Sequence, residues 1–111
     1  MAYKTKLLLE ELYMIPNSKK KFFGCFLVKK SEVLAIIDKI YAVIPNDILD
    51  AKVKGAREEA LVDGGVFDAL KSLEMLLEDF PNFMNQVVCF DKYYINKVQN
   101  IYEKLPEVLK Q

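Results

Sequence analysis

Apolar residues recur along this chain at helical spacing, and a few sharp breaks cut the pattern into segments. Over residues 3–15, Leu8, Leu12 and Ile15 share one face with Leu9 and Met14 beside it, and Pro16-Asn17-Ser18 is expected to stop that helix. The next segment, Lys21–Val28, is rich in Phe and Val and too short for a stable helix. It predicts an extended segment or a short hairpin bending at Gly24. Ser31 then reads as the N-cap of a helix with the stripe Val33, Leu34, Ile37, Ile40, Tyr41 and Ile44. Pro45 should end it, because proline disfavours helix at the preceding residue and lacks an amide hydrogen.

Asn46 or Asp47 is expected to cap a further helix carrying Ile48, Leu49, Val53, Ala56 and Ala60, with Gly55 weakening it by about 1 kcal/mol relative to Ala. Asp63-Gly64-Gly65 is the strongest break in the chain. A helix over 66–79 follows, with Val66, Phe67, Leu70, Leu73 and Leu77 inward, closing at Phe80-Pro81. Val87–Phe90 reads as extended. A last helix over 92–105, capped by Asp91, presents Tyr94, Ile95, Val98, Ile101, Tyr102 and Leu105.

That last stripe repeats the stripe Val33–Ile44 at a constant interval, with Ile-Tyr identical in both and a proline, Pro45 or Pro106, at the same distance beyond. Leu9-Glu10-Glu11-Leu12 before Pro16 likewise answers to Leu73-Glu74-Met75-Leu76 before Pro81. The expected fold is therefore mainly α, built from two degenerate helix–extended–helix repeats. The first module covers 1–62 and the second 66–111, packed as one compact unit, with a small two-stranded β element where the extended segments pair.

The unit resembles the N-terminal helix–extended segment–helix module of bacterial and cyanobacterial proteins labelled ATP synthase subunit b-like or DivIVA-like. The residues that carry the resemblance are Leu9-Glu10-Glu11-Leu12, Gly24, Leu27-Val28-Lys29, Leu34 through Ile40, and Ile44 through Lys52. This chain departs from those proteins where their long charged coiled coil is replaced by Gly64-Gly65 and a second copy, and where Phe22-Phe23 stand in place of a proline. The resemblance implies a scaffold or assembly role.

Composition narrows the chemistry. The 111 residues are 52% hydrophobic, with sixteen basic and sixteen acidic side chains, which excludes a disordered chain. Residues 1–40 carry eight lysines against four acidic groups, and the remainder eight basic against twelve acidic, a split that suits pairing within the fold or head-to-tail steering. Histidine is absent, which removes the commonest general base and the commonest metal ligand. Cys25 and Cys89 lie in apolar runs without a CxxC, so they read as buried free thiols of a reducing compartment rather than as a zinc site. The carboxylate pairs, including Glu74 and Glu78 on one helix face, read as solvated, and Asp63-Gly64-Gly65 lacks the Lys-Ser/Thr of a phosphate loop.

No enzyme, no cofactor and no small-molecule substrate are implied, and no apolar run is long enough for a membrane span. With no signal peptide visible, a cytoplasmic location is expected. Helix 66–79 is apolar around most of its circumference, more than a lone small domain can surround. The expected function is a non-catalytic interaction or assembly subunit, working as a homodimer or in a larger complex, with Phe67, Leu70, Met75, Leu76 and Leu77 as interface candidates. The alternative is a small binder of nucleic acid or an anionic surface through Lys19, Lys20, Lys21, Lys29 and Lys30, which a pI of 6.3 disfavours.

Overall fold

The computed structural model describes residues 2–19, 21–22, 25–78, 86–89 and 91–111. Helix α1 spans Lys4–Ser18, α2 Lys30–Val53, α3 Val66–Glu78 and α4 Asp91–Lys104, with 3₁₀ turns at Glu58–Leu61 and Glu107–Lys110. Three short strands, β1 (Lys21–Phe22), β2 (Cys25–Val28) and β3 (Gln86–Cys89), form an antiparallel sheet with β2 in the centre. The fold is mainly α, as expected. The β element has three strands rather than two, because β1 and β2 both pair within the first half and β3 adds to β2; the expected bend at Gly24 lies outside the described residues.

The helices form a closed ring of neighbours, α1 against α2, α2 against α3, α3 against α4 and α4 against α1. Residues of both expected modules meet in one core, where Leu12, Ile37, Ile40, Ile44, Leu70, Leu73, Leu77 and Ile101 are fully buried. Stripe positions matched between the two halves share their burial: Val33 and Tyr94, Ile37 and Val98, Ile40 and Ile101, Ile44 and Leu105 all lie inside.

Two expected helix stops do not operate. Residues 46–53 are not a separate capped helix; α2 runs through Pro45 to Val53. Pro45 is exposed, while Ile40, Ile44, Asp47 and Ala51 continue one buried stripe past it. Burial of that stripe outweighs the ~3 kcal/mol that an interior proline costs. The true stop is Gly55, at φ +92°. Its amide donates to the Lys52 carbonyl and that of Ala56 to the Ala51 carbonyl, at 3.1 and 3.0 Å, the paired bonds of a Schellman ending that needs a left-handed residue. Pro16, likewise, sits buried within the last turn of α1, which ends at Ser18.

The caps also differ from expectation. Lys29, not Ser31, precedes the first turn of α2, and no side chain caps it. Asp63 prepares α3, its Oδ1 accepting from the Gly65 and Val66 amides at 2.7 Å each. Asp91 opens α4, but its side chain, like the Phe80-Pro81 break, lies outside the described residues.

Candidate functional site

The interface candidates on α3 part company in the folded chain. Leu70 and Leu77 are fully buried in the chain's own core and offer nothing to a partner. Phe67 lies partly under Tyr41 of α2, ring stacked on ring at 5.9 Å between centroids and 11° between planes. The Tyr41 hydroxyl is pushed above its ordinary pKa, first by burial and then by the nearby Glu74 carboxylate. Leu76 is half-buried, Phe67 stays 40% exposed despite the stacking, and Met75 is the most exposed of the five, at 57%. Helix α3 is thus amphipathic within the ring, and the expectation of an all-round buried helix is corrected.

The basic cluster does not assemble as a patch among the described residues. Lys19 is tied to Glu32 at 3.1 Å. Lys29 is exposed just before α2, and Lys30 is half-buried in its first turn. Lys20 lies outside the described residues, as does the side chain of Lys21 in β1 and those of Cys25 and Cys89.

An apolar concavity lies elsewhere, between α1 and α4, with a volume of about 410 Å³. Leu9 and Val98, both buried, form its floor; Tyr13, Met14 and Tyr102 form its walls; Lys6, Glu10 and Gln99 stand around it. The walls are exposed apolar side chains, 52% for Met14 and 40% for Tyr102. Two helices supply the lining by their own periodicity: Lys6, Leu9, Glu10 and Tyr13 fall at helical spacing on α1, and Val98, Gln99 and Tyr102 on α4.

What fixes α1 against α4 is a hydrogen bond from the Tyr94 hydroxyl to the Leu12 carbonyl at 2.7 Å, buried, with Phe26 of β2 edge-on to the Tyr94 ring at 5.2 Å. Tyr102, on the same helix, is steadied from outside by the Lys110 ammonium 5.9 Å from its ring centre, and Lys110 in turn pairs with Glu107 at 3.1 Å. The groove is therefore framed by two helices that a buried hydrogen bond ties together.

Tyr41 and Tyr102 correct one further expectation. The repeat, taken alone, would set each ring against the first helix of its own half, near Leu12 or Leu76. Instead Tyr41 meets α3 and Tyr102 faces α1, each across the ring to the other half. No local pattern in the sequence brings α1 and α4 together, so the grouping of Tyr13, Met14 and Tyr102 emerges only in the folded chain. Among the described residues no group of three His, Cys, Asp or Glu side chains is placed to hold a metal ion, and no helix is long and apolar enough to cross a membrane. Comparison with protein-family models, with curated proteins and with solved structures finds no match for this chain.

Proposed function

We propose that the chain is a non-catalytic assembly module that pairs with a second copy of itself through the groove between α1 and α4. The observation that carries this reading is the groove: an apolar floor of Leu9 and Val98, with Tyr13, Met14 and Tyr102 exposed around it. Aromatic and methionine side chains around an apolar centre are the composition that protein interfaces favour.

The charges argue for a second copy as the occupant. Lys6 and Glu10 stand one turn apart on α1, and among the described residues neither has an ion-pair partner. A twofold interface is self-complementary, so two antiparallel α1 helices would set each Lys6 against the Glu10 of the other copy. A scaffold role is also what the resemblance to subunit b-like or DivIVA-like modules implies, by analogy.

Sedimentation of the purified chain at micromolar concentration should give a dimer. Met14→Lys or Tyr102→Lys should return it to monomer without loss of helical signal, because both side chains are exposed in the single chain. Lys6→Glu should weaken pairing, and Lys6→Glu combined with Glu10→Lys should restore it. A well-folded chain that stays monomeric to about 100 μM, a concentration at which even a 1 μM dissociation constant would leave it almost wholly paired, overturns the proposal.

A further inference from the structure

The sheet brings together two residues that are far apart in the chain. In the β2–β3 ladder Cys25 is the direct partner of Cys89, with Phe26 opposite Val88, Leu27 opposite Val87 and Val28 opposite Gln86. Direct partners in an antiparallel pair occupy the same face of the sheet, with Cα atoms about 4.5 or 5.5 Å apart according to the hydrogen-bonding site. Both values fall within the roughly 4.4–6.8 Å that a disulfide spans. Cys25 is the first residue of β2 and Cys89 the last of β3, so the pair stands at one end of the ladder. These are the only two cysteines in the sequence, one in each half of the chain.

We propose that Cys25 and Cys89 are a thiol–disulfide pair, closed by low-molecular-weight disulfides of the oxidised-glutathione class into a staple between β2 and β3. In the first step the thiolate of one cysteine attacks the oxidant's S–S bond, forming a mixed disulfide and releasing one glutathione thiolate. The thiolate of the second cysteine then attacks the protein sulfur of that mixed disulfide, closing the Cys25–Cys89 bond and expelling the second glutathione. The protein loses two protons and two electrons, and the oxidant disulfide is reduced to two thiols. The staple joins the hairpin that links α1 to α2 with the strand that links α3 to α4, so it would clamp both halves of the bundle at one end.

The test is equilibration of the full chain in buffers of graded oxidised-to-reduced glutathione ratio, followed by acid quenching, alkylation and mass spectrometry. The expected product is a monomeric species about 2 Da lighter, whose digest joins the Cys25 and Cys89 peptides. Register should make closure far easier in the native chain than in the same chain in concentrated guanidinium. A flexible loop of this length offers millimolar effective concentration at best, so the ratio needed should differ by about 100-fold or more. The oxidised form should melt on the order of 10 °C higher than the reduced form.

Moving one thiol by a single residue, Cys89→Ser with Val88→Cys, shifts it to the other sheet face and should abolish the native advantage. Equal ratios for native and denatured chains, retention of the advantage in the shifted variant, or glutathione adducts without closure would each overturn the proposal.

Discussion

Helix α1 reaches outside itself for hydrogen bonds at two places. Near its start the Thr5 amide has no partner within the helix; it donates to Asp47 Oδ2 at 2.8 Å, and the Thr5 hydroxyl donates to the same oxygen at 2.7 Å. Tyr3, in the N-cap position, gives no side-chain bond, so a carboxylate from the middle of α2 serves as a remote cap. Further along, Pro16 has no amide hydrogen, and the Leu12 carbonyl four residues earlier loses its usual donor. The Tyr94 hydroxyl takes that place. Asp47→Ala should cost about 2–3 kcal/mol in urea denaturation, as loss of a buried charge-assisted cap does, and Thr5→Val about 1 kcal/mol, since the amide bond survives. A neutral Asp47→Ala would contradict the capping account.

Tyr94→Phe should cost about 1–3 kcal/mol by leaving the carbonyl unpaired. In a Pro16→Ala background, where residue 16 regains an amide for Leu12, that cost should shrink; additive losses would show that the two groups do not share the carbonyl. The same hydroxyl sets an alkaline limit. Burial, followed by the Glu32 charge, raises its pKa well above the unfolded value of 10.0. A folded pKa that is raised favours folding below pH 10 and is lost as pH climbs through the folded value. Stability should therefore fall above pH 10, with the Tyr94 share of the slope near 1.4 kcal/mol per pH unit. That share should vanish in Tyr94→Phe, as denaturation midpoints of both chains between pH 8 and 12 would reveal.

At the scale of elements, α2 shows where local rules fail. Pro45 is the louder signal in the sequence, yet Gly55 ends the helix. Pro45→Ala should raise stability, because the helix continues on both sides and regains an amide. Gly55→Ala should lower it by about 1 kcal/mol, because at φ +92° a Cβ is strained even with open space around it. Thermal melts of the two variants should move in opposite directions, and movement in the same direction would contradict the assignment of the stop. The helical stripes, the extended character of Cys25–Val28 and the break at Asp63-Gly64-Gly65 are legible because period and turn chemistry act over a few residues. The remote cap at Asp47, the Tyr94 bond and the α1/α4 groove are not, since each joins residues from helices whose adjacency no local pattern encodes. Asp47 even reads locally as a cap, but for its own helix rather than for α1.

The whole molecule is held by a core common to all four helices, so it should unfold in one step. Ile40→Ala and Ile101→Ala, from opposite halves and both fully buried, should each cost roughly 2–5 kcal/mol and shift the same transition. Two calorimetric transitions, each sensitive to one variant, would instead mean two separate units. The proposal that the halves are copies of one unit rests on the shared burial of their matched stripes, and superposing α1–β2–α2 on α3–β3–α4 tests it directly.

The bond from Tyr94 back to Leu12 crosses 82 residues of sequence. On a ribosome adding about 5–20 residues per second, the first helix is made roughly 4–16 s before the tyrosine that completes it. Until then the side of α1 that α4 will cover is bare. The newborn chain is thus most exposed to chaperones and to aggregation late in its synthesis, and a message truncated before α4 should yield a product that cells degrade.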